Sequence, residues 1–292
     1  MNELQKIELE MLEAFVNVCE KLNLRYYLIC GSVLGAVKYS GFIPWDDDID
    51  VGLPRHDYEI FCAEAQKYLP SHMFLQNYRT EKECPTIISR IRNSNTTYIM
   101  KVYKEWNCHH GVFIDVMPLD VYPHENIPEF ERQKMKLLRR RAAYMHENVR
   151  TAVKAPRSFL VRLWIRLTGM KKLNEHIREL DNFVSNPEFK SNILCNHGNW
   201  QGKLEYAPIE QYGDGMDATF EGLKVRIPEK YDEYLTQKYG DWRADLPEDQ
   251  KVGHHYYEIM DLERPYTDYI DKVYNKGRRI KLRKTPKSNI II

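Results

Sequence analysis

The order of apolar and polar positions along the first part of the chain predicts alternating helices and strands. Residues 4–22 carry apolar side chains at the three- and four-residue spacing of one helical face, namely Leu9, Leu12, Val16 and Cys19. After Asn23, the short apolar string RYYLIC predicts a strand that ends at Gly31. SVLGAVKYSG then predicts a short helix that is closed by Gly41.

The next segment adds a second strand, a helix and a group of further strands. FIPWDDDIDVGL predicts a strand that begins after Pro44, because proline donates no hydrogen bond to a sheet. PRHDYEIFCAEAQKYLP is typical of a helix with Pro54 in its first turn. MFLQNY, TIISRIRN and TTYIM predict short strands, and HHGVFIDVMPLDVYP predicts a strand over 112–116 that stops at Pro118.

The second half of the chain is richer in helix. Its basic stretch predicts two helices hinged near Ala155 and Pro156, and PEKYDEYLTQKYG predicts a further helix among loops. The order of elements favours an α/β, or α+β, fold, with a mixed sheet core flanked by helices and a mainly helical addition. We divide the chain into a core, a basic helical insertion, a C-terminal part that completes the core and forms the acceptor side, and a basic tail: 1–125, 126–200, 201–275 and 276–292.

Composition narrows the class of protein. The 292 residues are 43% hydrophobic and 29% charged, which is typical of a globular chain and not of a disordered one. No run reaches the roughly 18 apolar residues of a membrane span, and MNELQKIELEMLEAF is not a signal peptide. The six cysteines form no CxxC pair, so we expect reduced thiols in a cytoplasmic protein. Cys108, His109 and His110 could belong to a zinc site, but a trio that is hydrogen-bonded within the protein or exposed to solvent is favoured.

Charge is unevenly placed, although the net charge is only +1. Between residues 131 and 178 there are 14 Lys and Arg against 3 Glu. In this stretch an apolar helical face lies among basic residues: Phe159, Leu160, Leu163, Trp164 and Leu167 with Arg157, Arg162, Arg166, Lys171 and Lys172. Such a helix suits peripheral contact with an anionic membrane, here the inner face, and a helix packed on the core is an equal alternative. Nothing else in the sequence favours nucleic acid as a partner.

Four carboxylates crowd into the start of the second strand: Asp46, Asp47, Asp48 and Asp50. Because side chains alternate along a strand, we expect Asp48 and Asp50 on one face and Ile49 on the other. Two carboxylates on one face repel unless a cation lies between them, and Mg²⁺ binds through one or two carboxylates plus substrate phosphates. Asp115 stands alone among the apolar residues of VFIDV and would be costly to bury unless paired or metal-bound. We therefore predict that it joins the other two.

Gly31 and Ser32 lie where the first strand passes into a helix. Amides at a helix N-terminus bind anions, and a glycine lets the backbone approach a phosphate. Such a turn, paired aspartates and a third acid indicate a metal-dependent phosphoryl-transfer site, with Asp115 as metal ligand or as base for an attacking hydroxyl. An acidic turn by itself is common and usually solvated, so the combination carries the prediction.

The same residues resemble a known family. The arrangement is similar to that of the nucleotidyltransferase superfamily, and GSVLGAVKYSGFIPWDDDIDVGLPRHDYEIF resembles the LicD family of phosphotransferases, which includes the fukutin-type proteins. HGVFIDVMPLD resembles the second block of that family, and FEGLKVRIPEKYDEYLTQKYGDW resembles its C-terminal block. The resemblance covers residues 9–120 strongly and 219–256 moderately, and no motif of the family falls in 131–200.

This resemblance implies a nucleotidyltransferase-like catalytic core and a transferase activity. LicD-like proteins move a phosphorylated alcohol, best known as phosphocholine, from a CDP-activated donor such as CDP-choline to a hydroxyl of a cell-surface glycan or its lipid-linked precursor, and CMP leaves. Carried onto this chain, Asp48 and Asp50 would be the metal pair and Asp115 the third acid. The cofactor would be Mg²⁺, with Mn²⁺ as an alternative. Gly31 and Ser32 would contact the donor phosphates.

Six further residues are candidates on weaker grounds: Lys38, Arg90, Arg92, Trp45, His254 and His255. The lysine would face phosphate because of its place in the first block. The two arginines share a strand face, and they either bind the donor diphosphate or lie on an exposed face. The tryptophan would stack on cytosine or cap a choline cation, or simply pack. The histidines are candidates for the acceptor side, and a surface pair is the alternative.

Two other functions remain open at this point. A true nucleotidyltransferase would add a nucleotide from a nucleoside triphosphate to a small molecule or protein and release pyrophosphate. A non-catalytic scaffold would keep the fold without the chemistry, although a decayed site usually loses an acid first and all three acids are present: Asp48, Asp50 and Asp115.

Overall fold

The computed structural model describes residues 1–84, 86–104, 106–123, 127–148, 173–197, 206–253, 255–273 and 280–282. Its helices in these stretches are α1 (Glu3–Lys21), α2 (Cys30–Tyr39), α3 (Arg55–Glu64), α4 (Ile127–Asn148), α5 (Leu173–Val184), α6 (Ile209–Tyr212) and α7 (Tyr231–Tyr239). Its strands are β1 (Tyr27–Leu28), β2 (Asp50–Pro54), β3 (Met73–Gln76), β4 (Ser89–Asn93), β5 (Thr97–Met100), β6 (Phe113–Val121), β7 (Ile193–Cys195), β8 (Tyr206–Pro208), β9 (Met216–Phe220), β10 (Leu223–Ile227), β11 (Tyr257–Asp261), β12 (Ile270–Val273) and β13 (Ile280–Leu282).

The amphipathic helix predicted at the N-terminus is confirmed as α1. A capping box begins it, because the Asn2 side chain accepts a hydrogen bond from the Gln5 amide at 2.8 Å and the Gln5 side chain accepts one from the Asn2 amide. Its apolar face is fully buried at Leu12 and Phe15. The side chain of Gln5 also donates to the backbone oxygen of Asp46 at 3.1 Å, so α1 supports the acidic segment from below.

A mixed sheet forms the centre of the molecule and confirms the predicted α+β class. Its main path runs β1-β2-β6-β4-β3, and β7 and β8 extend it from the far half of β6. Strands β2 and β6 are parallel, whereas β4 and β6 are antiparallel. Strand β6 is therefore central, and the acids that β2 and β6 carry come together at this point of the sheet.

Strand β6 does not stop at Pro118, as the sequence predicted, but continues to Val121. The amide of Asp115 donates to the Ile49 oxygen at 2.9 Å, on the β2 side, so the amide position of residue 118 faces the opposite edge of the strand. On that edge the pairing of β6 with β4 extends only as far as Val116, and the pairing of β6 with β7 starts at Asp120. The missing N–H of proline thus falls in a gap between two neighbouring strands, where no ladder bond is lost.

The predicted start of the second strand was also wrong. Strand β2 begins at Asp50, and the residues after Pro44 form a turn in which the Asp46 amide donates to the Ile43 oxygen at 2.9 Å. Asp48 therefore precedes the strand, and strand alternation does not place it. Helix α2 ends at Ser40 in the left-handed conformation (φ 55°) and not at Gly41.

The C-terminal third contains more strand than the sequence predicted. Strands β9 and β10 form an antiparallel pair, and β11 pairs with β5 of the N-terminal half. The helix predicted from PEKYDEYLTQKYG is confirmed as α7. The missed strands are three to five residues long. The alternation of apolar and polar residues therefore repeats too few times to distinguish them from loops. The four-part division of the chain stays a prediction.

The described residues of the basic insertion contain α4, α5 and, contrary to the all-helical prediction, strand β7. The hinge predicted near Ala155 and Pro156, the apolar face around Trp164, and its arginines lie outside the described residues. None of the helices in the described part of the chain is long and apolar enough to cross a membrane. Contact with a membrane surface stays a prediction.

Candidate active site

One rung of the sheet places two acids and an arginine side by side. Asp50 on β2 lies opposite Asp115 on β6, and Asp115 lies opposite Arg90 on β4. The Arg90 guanidinium donates to both oxygens of Asp115, at 2.5 and 3.4 Å. All three side chains line a cavity of about 530 Å³. The sequence prediction that Asp115 joins the acidic segment agrees with this geometry.

Asp48 lines the same cavity from the loop before β2, with 22% of its side chain exposed. Burial and the neighbouring Asp50 raise its pKa well above the usual value. Burial, then Asp115 and Asp46, raise the pKa of Asp50 to about 8. Each carboxyl is hard to ionise because protein atoms replace water around it and because its neighbours carry the same charge.

Gly31 and Ser32 lie in the first turn of α2, as predicted, but they have different roles. Gly31 lines the cavity, and a Cβ atom added there would lie 3.0 Å from the Asp46 carboxylate. The Ser32 side chain is buried and its oxygen accepts a hydrogen bond from the Asp50 amide at 2.9 Å. Ser32 therefore fixes the start of β2 in this structure, and its contact with a donor phosphate stays a prediction.

Lys38 and Trp45 line the cavity mouth. The Lys38 ammonium donates to the backbone oxygens of Arg243 and Ala244, both at 3.0 Å, and so holds the loop after α7 against α2. Trp45 is half-buried and has the ammonium of Lys251 5.3 Å from its ring centroid. The aromatic ring thus already accepts a cation in this structure.

Arg90 and Arg92 share a strand face, as predicted, and both stack on Phe113, at 4.1 and 4.6 Å from its ring centroid. Only Arg90 belongs to the cavity wall. Arg92 is buried behind it and donates to the Gln76 side chain at 2.8 Å and to the Gly111 oxygen at 2.7 Å. These bonds account for Arg92 as a packing residue, and a donor-binding role for it stays a prediction.

His255 lies in the cavity wall, whereas His254 lies outside the described residues. The imidazole Nδ1 of His255 is 3.3 Å from Asp47 Oδ1 and 3.8 Å from Asp48 Oδ2. In the described part of the chain, Asp47, Asp48 and His255 are the group whose ligand atoms all lie within 4.8 Å of one another. The oxygens of Asp48, Asp50 and Asp115 do not form such a group. The expected role of His255 on the acceptor side stays a prediction.

Sequence reasoning missed three residues of the site: Cys30, Lys238 and Trp242. Cys30 has a left-handed backbone (φ 55°), and a hydrogen bond from its side chain lowers the pKa of Asp50. Lys238 on α7 is buried in the cavity wall, and its charge also lowers that pKa. The string QKYGDW, which resembles the C-terminal block of the family, was the available signal for Lys238 and Trp242.

The trio of Cys108, His109 and His110 is buried and is engaged in hydrogen bonds. His109 Nε2 lies 3.0 Å from the Ser94 hydroxyl, and His110 Nε2 lies 2.9 Å from the Trp106 oxygen. Burial lowers the pKa of His109 to about 3 and that of His110 to about 4. These partners match the sequence interpretation that the trio is satisfied by the protein itself.

Comparisons with known proteins agree with this geometry. Residues 23–144 match the family described as LicD/FKTN/FKRP, nucleotidyltransferase domain. The chain is 26% identical over 273 residues to the lipopolysaccharide cholinephosphotransferase LicD of Haemophilus influenzae, which covers 90% of this chain and 98% of that protein. It is 45% identical over 42 residues to the ribitol 5-phosphate transferase FKRP of Homo sapiens, which covers 14% of this chain and 8% of that protein.

The α+β fold, the acid-lined cavity and these similarities define a transferase of phosphorus-containing groups. The matched region contains α2, β2 and β6, and so includes Asp48, Asp50 and Asp115. Residues 23–144 match that family, and the similarity to the LicD cholinephosphotransferase extends over 90% of the chain. The resemblance seen in the sequence is thereby confirmed.

Proposed function

We propose that the protein is a Mg²⁺-dependent phosphotransferase that moves a phosphorylated alcohol from a CDP-activated donor to a hydroxyl of a glycan or its lipid-linked precursor. The observation that carries the proposal is the convergence of Asp48, Asp50 and Asp115 on one cavity. Phosphocholine is the first candidate for the transferred group, because the relative aligned over 98% of its length is a cholinephosphotransferase.

The acids fit a divalent ion. Asp48 and Asp50 are surrounded by protein and have raised pKa values, so the ionised pair needs a positive charge beside it. Asp48, Asp50 and Asp115 would hold Mg²⁺, or Mn²⁺ in its place, through carboxylate oxygens. When bound, the ion would neutralise charge on the transferred phosphoryl group and its leaving group.

The ion pair with Arg90 indicates which role Asp115 has in the proposed reaction. The Arg90 guanidinium binds both carboxylate oxygens, which fixes the orientation of Asp115. A carboxylate has about four lone-pair positions, so one that is fixed in this way still has lone pairs for an ion beside it. We therefore assign Asp115 to holding the ion in preference to taking the proton of the acceptor hydroxyl.

The remaining wall of the cavity suits a nucleotide donor. Its volume of about 530 Å³ is in the range of sites for ligands of this size. The backbone at Gly31 and the ammonium of Lys38 would approach the diphosphate, and Trp45, Tyr39 and Trp242 offer aromatic faces for a base or a choline cation. These groups would bind and orient the donor.

A thermal-shift titration tests the proposal. The purified protein is mixed with Mg²⁺ and CDP-choline, CDP-ribitol, CDP-glycerol, CTP or ATP, and its melting temperature is measured. We expect one CDP-alcohol to raise the melting temperature only when Mg²⁺ is present, because a ligand of the folded state stabilises it by mass action. Asp48→Asn should lose this response and should lower CMP release by about a hundredfold or more.

Asp249→Asn provides the matched control, since Asp249 is exposed and lies outside the cavity wall. It should keep both the shift and the activity. A shift with CTP or ATP alone, together with release of pyrophosphate, would replace the proposal by nucleotidyl transfer. Full activity in Asp48→Asn would contradict the assignment of the acids.

A further inference from the structure

The compact cluster in the cavity wall is not the one that the sequence predicted. Asp47 and Asp48 come from the loop before β2, and His255 comes from the segment before β11, more than two hundred residues later. The backbone amide of His255 donates to Asp47 Oδ2 at 3.1 Å, while its imidazole Nδ1 faces Asp47 Oδ1 at 3.3 Å. The β5–β11 pairing therefore brings an imidazole onto the acidic loop.

The spacing of the three ligand atoms suits one shared ion. In an octahedral site with bonds of about 2.1 Å, neighbouring ligand atoms are about 3.0 Å apart and opposite ones about 4.2 Å. The Nδ1 distances of 3.3 Å to Asp47 and 3.8 Å to Asp48 lie between these values. Small side-chain movements would complete the geometry.

The backbone holds Asp47 in this orientation. A Cβ atom added to Gly253 would lie 2.7 Å from Asp47 Oδ2, so a larger residue at 253 would displace this carboxylate. The hydrogen bond from the His255 amide fixes the same oxygen. Support of a ligating carboxylate by a second hydrogen bond is a usual feature of metal sites.

A second, independent observation is a buried carboxyl group on α1, the helix that contacts the acidic loop. Glu8 on α1 is 1% exposed, and its Oε2 atom has no hydrogen-bond partner. Glu8 lies on the helix whose Gln5 side chain donates to the backbone oxygen of Asp46 at 3.1 Å. A buried carboxyl oxygen without a hydrogen-bond partner is costly, and this one lies on the element that contacts the acidic loop.

We propose that Asp47, Asp48 and His255 form a second divalent-cation site, which shares Asp48 with the site of Asp48, Asp50 and Asp115. The imidazole selects the ion, because nitrogen ligands suit Mn²⁺ or Zn²⁺ better than Mg²⁺, which prefers oxygen. Paired ions that share a carboxylate clamp both oxygens of a phosphoryl transfer. The proposal rests on the proposed function, since the first site is the one assigned there.

A plain ion pair is the competing account of the same contacts. The pKa of His255 is raised, since Asp47 and Asp48 outweigh the opposite effect of burial. A protonated imidazole would neutralise the loop without any ion and would not coordinate metal. The two accounts differ in whether the ring nitrogen contacts a metal ion.

Electron spin echo spectroscopy of the Mn²⁺-loaded, full-length protein separates them. A directly bound imidazole gives a ¹⁴N modulation of the Mn²⁺ signal, and we expect this modulation together with two bound Mn²⁺ per chain. His255→Gln should remove the modulation and leave one bound Mn²⁺. His72→Gln is the control, because His72 also pairs with an acid, Glu10 at 3.1 Å, but lies outside the cavity wall.

Each other outcome has a distinct meaning. One bound Mn²⁺ without ¹⁴N modulation in the wild-type protein, lost in Asp50→Asn, would overturn the second site and leave the proposed function intact. Absence of any bound Mn²⁺ would contradict both. Modulation that persists in His255→Gln would assign the nitrogen to another residue and overturn the proposal. The wild-type spectrum decides even where the variant fails to fold.

Discussion

The carboxyl group of Asp50 shows how strongly one residue of this site depends on its surroundings. Its pKa is raised to about 8 by burial and by Asp115 and Asp46, while the side chain of Cys30 and the charge of Lys238 act in the opposite direction. A group of this kind is neutral in the metal-free protein near neutral pH and becomes charged when a cation binds. Metal binding should therefore release protons.

This coupling predicts a pH dependence of the stabilisation by Mg²⁺. The raised folded-state pKa of about 8 means that the contribution of Asp50 to the stability of the metal-free protein is complete below the unfolded value of 3.8 and is lost as pH rises through about 8. Mg²⁺ offsets the loss by favouring the charged form. The rise in melting temperature on addition of Mg²⁺ should be larger at about pH 8 than at about pH 6. The buffers should be ones whose pH changes little with temperature.

Asp50→Asn supplies the comparison for this measurement, because the amide keeps the shape of the side chain and does not titrate. Its response to Mg²⁺ should be small at both values of pH. An equal Mg²⁺ response of the wild-type protein at both values would contradict the assignment of Asp50 to the ion.

At the scale of elements, β6 serves two purposes along its length. Asp115 near its start points into the cavity, and Asp120 near its end accepts two hydrogen bonds from Arg55 at 2.6 and 2.7 Å. Arg55 also binds Asp181 of α5 at 3.0 Å, so the end of β6, α3 and α5 are joined by one buried cluster of charges. The Asp120 side chain is 1% exposed.

Breaking this cluster should affect stability and spare the site. We expect Asp120→Asn to lower the free energy of unfolding by about 3 kcal/mol, because it removes the most buried of the acids that pair with Arg55. Asp217→Asn is the matched control, since it breaks an exposed pair with Arg226 and should leave the free energy of unfolding close to that of the wild-type protein. Urea unfolding measures both values.

The folded Asp120→Asn protein should keep the Mg²⁺-dependent response to the donor. Loss of that response at a temperature where the protein is still folded would show that Asp120 belongs to the site, and would contradict the separation of roles along β6.

At the scale of the whole molecule, the cavity is built from both ends of the chain. Tyr234 of α7 accepts a hydrogen bond from the Cys30 amide at 3.0 Å, and Tyr27 of β1 donates to the Gly213 oxygen at 2.7 Å. Lys38 holds the loop after α7. The C-terminal part thus closes the cavity that the N-terminal strands open.

Features that depend on residues near one another in the chain could be predicted from the sequence, whereas contacts between distant segments could not. Helix α1, strand β4 and the convergence of Asp115 with the acidic loop follow from local period and from the pairing of neighbouring strands. Strand β6 continues past Pro118 because of where its neighbours end, which no local pattern contains. The contact of Asp47 with His255 joins residues 208 positions apart, so it depends on packing of the finished fold.

Asp48, Asp50 and Asp115 are proposed to hold a divalent ion against the diphosphate of a CDP-alcohol. Anomalous diffraction at the manganese absorption edge tests this assignment, with crystals of the protein soaked in Mn²⁺ and CDP-choline. We predict an anomalous peak within about 2.2 Å of oxygens from these three acids, with the donor diphosphate beside it and the cytidine near Trp45 or Trp242. A donor bound with no metal at these acids, or a peak only elsewhere on the protein, would contradict the claim.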